Sequence, residues 1–113
     1  MSLSLDEYQE ISSATAIYPR DTEAAALSYV TLGLVGEAGE LANKVKKILR
    51  DSDGIVSEEI RQDLAAEAGD ALWYLAQFVS EINRDLGEVA WGNLEKLQAR
   101  AERGTLQGSG DAR

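Results

Sequence analysis

The sequence predicts an all-α fold, a bundle of four to five helices in which two are long. Apolar residues recur at steps of three and four over extended stretches, which is the period of one helix face, and no convincing strand pattern is present. Capping residues precede these stretches, and a proline or a glycine follows them. The 113 residues are expected to form one domain over 1–104, followed by a polar, glycine-rich tail over 105–113.

The first two helices are predicted from their starting residues. Ser4 and Glu7 have the spacing of a capping box, which opens a helix of about 15 residues that stops before Pro19. Asp21 is expected to cap the second helix, which covers roughly residues 22–50. Glycines in the interior of this helix make a bend possible.

The last two helices have equally clear signals. Ser57, followed by two glutamates, starts a third helix that is expected to reach about residue 86, with Gly87 as its C-terminal stop. A shorter fourth helix is predicted over residues 88–103, ending at Gly104.

Composition excludes several kinds of site. The chain has no cysteine and no histidine, so thiolate and imidazole metal ligands are unavailable, as is the commonest general base. The net charge of −9 argues against general binding of nucleic acid, which requires a basic surface. No signal peptide is visible and no apolar run approaches the length of a membrane span, so a cytoplasmic protein without membrane contact is expected.

Two acidic pairs interrupt the apolar faces of the long helices. The segments GEAGELA (36–42) and AEAGDAL (66–72) repeat the pattern E-A-G-[ED] thirty residues apart. In each, an acid takes a position where the stripe calls for an apolar residue, and a second acid follows three residues later on the same face. The four acids are Glu37, Glu40, Glu67 and Asp70. If the helices pack antiparallel, these carboxylates converge.

Converging carboxylates predict a divalent metal. Like charges raise one another's pKa, and a bound cation removes the conflict. A site made only of carboxylate oxygens suits Mg²⁺, with Mn²⁺ as a substitute. A di-iron bundle would require histidine, which the chain lacks. Gly36 and Gly39 are expected to let the two helices approach closely enough to share the ion. The alternative is a solvated acidic face.

The pattern E-x-x-E, then 26 residues, then E-x-x-D resembles the all-α nucleoside triphosphate pyrophosphohydrolases, and the chain is similar to their single-domain MazG-like members. The similarity includes GLVGEAGEL, EAGDALWYL, NLEKL (93–97) and RGTLQGSGD (103–111). It implies hydrolysis of (deoxy)nucleoside triphosphates to monophosphate and pyrophosphate, dependent on Mg²⁺, in a homo-oligomer. It also implies that the four acids are the metal ligands and the catalytic residues.

A metal-activated water is the expected nucleophile, because the motif holds no covalent nucleophile, and one of the four acids would act as general base. Two alternatives stay open. One is a non-catalytic nucleotide- or Mg²⁺-binding helical module with a regulatory role, and the other is a purely structural bundle.

Basic residues near the motifs are candidates for contact with the substrate. Lys44 and Lys47 follow Glu40 on the same face and could meet a triphosphate, although an ion pair between Glu40 and Lys44 is an equal alternative. Asn93 and Lys96 form a further pair three residues apart, for which the resemblance favours contact with phosphate.

Aromatic residues could stack on a base. Trp73, Tyr74 and Trp91 are candidates, although aromatics at helical spacing are more often part of a core. Tyr8 and Gln9 on the first helix are further candidates for reading the base.

Surplus apolar positions predict assembly into a dimer or a tetramer. Leu32 and Val35 lie off the main stripe of the second helix, and Leu75 and Val79 off that of the third. Exposed together they would form the kind of patch that marks an interface. The glycine-rich tail could then reach a neighbouring subunit's site.

Overall fold

The computed structural model describes residues 1–111 as four α-helices and one short 3-10 turn, and within this range it has no strand. The elements are α1 (Leu5–Ser12), the 3-10 turn (Ser13–Thr15), α2 (Glu23–Asp51), α3 (Glu58–Glu81) and α4 (Leu86–Arg103). The all-α class and the two long helices are therefore confirmed. Residues 112 and 113, the end of the predicted tail, lie outside the described residues. None of the four helices has the length and hydropathy that crossing a bilayer requires.

Local capping chemistry starts the first helices. Ser4 Oγ accepts a hydrogen bond from the Glu7 amide at 3.0 Å, and the Ser4 amide donates to Glu7 Oε1 at 2.9 Å, so the predicted capping box is confirmed. The α2 cap is Thr22 and not Asp21, because the Thr22 hydroxyl accepts from the Ala25 amide at 3.0 Å. This extended cap residue fixes the direction in which α2 leaves the preceding loop.

The predicted boundary between the third and fourth helices was wrong. α3 ends at Glu81, where Asn83 with φ of 58° takes the left-handed conformation that stops an α-helix. Gly87 lies in the first turn of α4, and its amide donates to Asp6 Oδ1 at 2.8 Å. The end of α4 is as predicted, with Gly104 left-handed at φ of 72°.

Gln9 on α1 holds the turn between α3 and α4. Its amide nitrogen donates to Ser80 Oγ and to the Arg84 carbonyl oxygen, both at 2.9 Å. Its amide oxygen accepts from the Leu86 amide at 2.8 Å. The side chain is buried. The suggestion that Gln9 reads a base was therefore wrong, because both ends of its amide are used inside the fold.

The apolar core is small and divided. One cluster contains Tyr18, Ala26 and Val30 between the start of α2 and the middle of α3, and Trp73, Tyr74 and Phe78 pack against it. The other contains Ala76, Val79 and Leu86, which join α3 to α4 beside α1. Val79 is buried here, so its predicted place on an exposed patch was wrong. Leu32, Val35 and Leu75 are exposed, as expected.

Candidate metal centre

Three of the four predicted acids converge where α2 faces α3. Glu37, Glu67 and Asp70 each offer a carboxylate oxygen, and these oxygens all lie within 4.8 Å of one another. Glu40 lies one turn beyond Glu37 on α2, exposed, and its carboxylate is not part of this group of three. The packing of the two long helices thus produces the convergence that the sequence repeat predicted.

The electrostatics of the three acids fit a divalent cation. Burial, the adjacent carboxylate of Glu67 and the negative charge of Asp70 together raise the pKa of Glu37. Glu67 is only 16 % exposed, and its Oε2 is buried without a hydrogen-bond partner. An orphaned buried carboxylate oxygen is costly unless it has a cation or a donor. The oxygen-only donor set is the one that Mg²⁺ and Mn²⁺ prefer.

The role expected for Gly36 and Gly39 was wrong within the single chain. A Cβ at either position would meet nothing within 4 Å, so neither glycine permits a close approach between helices. The close approach is at Gly33, where a Cβ would fall 2.1 Å from Cε1 of Tyr74. This contact lies one turn before Glu37 on α2 and one turn after Asp70 on α3.

The residues that carry this site lie inside the part of the chain that matches a known family. Residues 26–105 match the family described as the MazG nucleotide pyrophosphohydrolase domain. The chain belongs to the MazG family. It is also 55% identical over 112 residues to the Gene 37 protein of Mycobacterium phage L5, a match that covers 96% of this chain and 98% of that protein. No solved structure matches the chain. Membership indicates a hydrolase that acts on nucleotides.

Next to the acids of this MazG chain, Lys44 reaches across from α2 to α3. Its Nζ lies 2.7 Å from Asp63 Oδ1 and 3.0 Å from Glu67 Oε1, and these bonds, the one to Asp63 first, raise the pKa of Lys44. Lys44 therefore pairs with α3 and not with Glu40 one turn away. Lys47 and Lys44 both line a cleft of about 290 Å³ between the two helices.

The basic residues of α4 are held by the tail. Lys96 Nζ lies 3.3 Å from Asp111 Oδ1, while Asn93 is exposed. Arg100, which was not predicted, is 4 % exposed and donates from its Nη2 to the Asp111 carbonyl oxygen at 3.0 Å and to Oδ1 at 3.1 Å. Its Nε is buried without a partner. The spacing of four residues from Lys96 was the signal that could have identified it.

Two of the predicted aromatic residues, Trp73 and Tyr74, lie in a cluster beside the acids, whereas Trp91 is 65 % exposed on α4. Tyr18 stacks on Tyr29 with ring centroids 5.0 Å apart, and Trp73 meets Tyr74 edge to face at 5.1 Å. Trp73 Nε1 donates to Thr15 Oγ1 at 2.9 Å. Trp73 and Tyr74 both pack against the core, as expected if they are structural residues. That either ring stacks on a base stays a prediction.

The charges of the acids reach two tyrosines, Tyr74 of the aromatic cluster and Tyr8 on α1. Burial comes first among the causes that raise the pKa of Tyr74, followed by Tyr29 and then by the charges of Glu37 and Asp70. Burial and then Asp70 raise the pKa of Tyr8.

Proposed function

We propose that the chain hydrolyses (deoxy)nucleoside triphosphates to the monophosphate and pyrophosphate, in a Mg²⁺-dependent reaction in which water attacks the α-phosphorus. The observation that carries this proposal is the convergence of Glu37, Glu67 and Asp70 inside the region that matches the family. Mg²⁺, or Mn²⁺ in its place, supplies a water of lowered pKa and neutralises phosphate charge when bound.

The four acids divide the work at the metal. Glu37, Glu67 and Asp70 would hold the ion, since their oxygens already face one another and one oxygen of Glu67 lacks a partner. Glu40 completes the proposed ligand set from the next turn of α2. One of the four acids takes the proton from the attacking water.

Basic residues give an acidic chain its means of attracting a triphosphate. The net charge is −9, so the phosphates need local cations. We propose that Lys44 and Lys47 supply positive charge from the cleft, and that Asn93, Lys96 and Arg100 contact phosphate from α4. Arg100 is the best prepared of these, because it is buried and its Nε has no hydrogen-bond partner among residues 1–111.

A homo-oligomer, a dimer or a tetramer, is the proposed working form. The radius of gyration is 17.0 Å, whereas a compact chain of this length has a radius of about 13 Å. Leu32 is 71 % exposed and Val35 is 64 % exposed on the longest helix. A second copy would cover such positions and would bring its own α4 and tail towards the acids, since α4 of the same chain packs mainly on α1 and the end of α3.

A panel of nucleoside triphosphates, scored for monophosphate and pyrophosphate, tests the proposal. Product should require Mg²⁺ or Mn²⁺, and Glu67→Gln should abolish turnover while leaving the helical fold intact. In ¹⁸O-labelled water the label should enter the monophosphate. Inorganic phosphate and a diphosphate as first products would indicate an ordinary triphosphatase. Mg²⁺-dependent stabilisation without turnover of any nucleotide would favour a non-catalytic binding module.

A further inference from the structure

The ammonium group of Lys44 lies where it would compete with a divalent cation for the carboxylate of Glu67. Its amine lies 3.0 Å from Glu67 Oε1, in the same carboxylate whose second oxygen is buried without a partner. The same amine lies 2.7 Å from Asp63 Oδ1, one turn earlier on α3. Lys44 thus bonds to two carboxylates on successive turns of the facing helix, and only one of the two is part of the acidic cluster.

The two partners of Lys44 are unequal. Glu67 is largely buried and is surrounded by the oxygens of Glu37 and Asp70, whereas Asp63 is 58 % exposed and lies outside that group. Without a metal, an ammonium group is the only cation within bonding distance of Glu67 among the described residues. With a metal on Glu67, an ammonium group so close would be repelled by the ion. The bond to Asp63 offers that group another partner a short distance away.

We infer that Lys44 is an internal counter-cation, which holds Glu67 in the metal-free protein and shifts onto Asp63 when a divalent ion binds. The inference rests on the proposed metal centre and adds a residue that sets its affinity. Lys44 holds the carboxylate of Glu67 in place and compensates its negative charge. It is not itself a metal ligand. It lowers the repulsion among the acids when the site lacks metal, and it weakens metal binding because the ion must displace it.

The consequence is that removing Lys44 should tighten metal binding. The metal-free protein loses a favourable bond, while the metal-bound protein loses a repulsive charge, and both changes favour the bound state. If Lys44 only tied α2 to α3, its loss would destabilise both states equally and the affinity would not change.

The test is Mn²⁺ affinity of the nucleotide-free, full-length protein, measured by calorimetry. Lys44→Met should bind Mn²⁺ about tenfold more tightly than wild type, which corresponds to about 1.4 kcal/mol. Lys46→Met is the matched control, because it removes the same charge from an exposed neighbour on α2 and should stay within about twofold of wild type. In a chelator, Lys44→Met should melt below wild type, and Mn²⁺ should abolish the difference.

A double-mutant cycle separates displacement from simple proximity. Asp63→Asn should weaken Mn²⁺ binding in the wild-type background, since Lys44 then has no other partner, and should have no effect when combined with Lys44→Met. An equal effect in both backgrounds would show that Asp63 acts only as a remote charge and would overturn the inference. Lys44→Gln serves the same comparison if Lys44→Met does not fold.

The failures of the two proposals are distinguishable. If wild type binds no Mn²⁺, the metal centre of the proposed function is refuted and the role of Lys44 with it. If wild type binds Mn²⁺ and Lys44→Met binds it no more tightly than Lys46→Met, the metal centre stands and only the role of Lys44 is refuted.

Discussion

Gly33 of α2 lies directly against the ring of Tyr74 on α3, so that a Cβ on Gly33 would fall 2.1 Å from Cε1 of that ring. The ring cannot withdraw freely, because Trp73 meets it edge to face at 5.1 Å and the ring of Tyr29 lies 6.4 Å away. This contact sets the separation of the two long helices one turn before the acids. The glycine is therefore a packing requirement in a helix interior that would otherwise favour alanine.

Gly33→Ala should lower the free energy of unfolding by about 1–3 kcal/mol, because overpacking outweighs the gain in helix propensity. Gly92→Ala on α4 is the control, since a Cβ there meets nothing within 4 Å. That variant should be as stable as wild type or more stable by up to about 1 kcal/mol. Guanidinium denaturation followed by circular dichroism, at one protein concentration, measures both. A Gly33→Ala variant as stable as wild type would show that the ring yields.

Gln9→Leu should be among the most destabilising single changes in the chain. It removes the partner of the Leu86 amide and of the Arg84 carbonyl in a buried turn, at a cost of about 2–4 kcal/mol. Gln98→Leu is the control, because Gln98 is exposed and bonds only weakly to Glu102 at 3.4 Å. Equal stability of the two variants in guanidinium would contradict the role given to Gln9.

The elements that the sequence predicted well are those with local causes. The Ser4 capping box and the cap at Ser57 depend on residues three positions apart, and Gly104 ends α4 through its own backbone conformation. The end of α3 was mispredicted because Asn83, and not Gly87, takes the left-handed conformation that stops the helix. The turn that follows is held by a long-range contact. Gln9 pairs with the Leu86 amide from 77 residues away, and no local pattern announces that bond.

The candidate site likewise contains residues that a local signal predicts and residues that only long-range contacts place. Glu37 and Glu67 were predictable because each interrupts an apolar stripe, which is a local irregularity with a physical cost. The pairing of Arg100 with Asp111 was not predicted, since it depends on how the tail returns to α4. The role of the glycines was assigned to the wrong positions, because only the packed structure shows which glycine faces a ring.

Glu37→Gln should stabilise the metal-free protein at neutral pH while abolishing turnover. Folding raises the pKa of this carboxyl above its ordinary 4.5, mainly through burial and the adjacent carboxylate of Glu67. The unfolded chain therefore loses the proton first, and stability is lost as the pH rises through the folded value. Glu37→Gln has no proton to lose at this position and so does not lose stability in this way. Its melting temperature should therefore exceed that of wild type at pH 7, and the two melting temperatures should converge near pH 4.

Glu95→Gln, an exposed acid on α4, should show no such pH-dependent gain in the same melting series. Millimolar Mg²⁺ should raise the melting temperature of wild type and of Glu95→Gln by binding the folded state, and should raise that of Glu37→Gln much less. A melting temperature of wild type that stays flat across millimolar Mg²⁺ would count against the metal centre.

Arg100→Met should raise the KM for a nucleoside triphosphate about tenfold, because it removes a buried cation proposed to bind phosphate. The fold should persist, since methionine fills the volume of the arginine stem and removes a charge whose Nε has no partner. Arg61→Met on the exposed face of α3 is the control and should leave KM unchanged. If Arg100→Met matches the control in steady-state kinetics, Arg100 has only a structural role.

Wild type should be at least a dimer in light scattering at micromolar concentration. The core is divided into two small clusters, and the chain is more extended than a compact monomer of its length. Leu32 and Val35 remain exposed on α2, where water would have to cover apolar surface that a second copy can bury. Val35→Glu should therefore shift the mass towards that of one chain, whereas Ile17→Glu, which is exposed in the loop before α2, should leave it unchanged. A wild-type mass of 12.2 kDa would refute the assembly, and with it the idea that a neighbouring α4 completes the site.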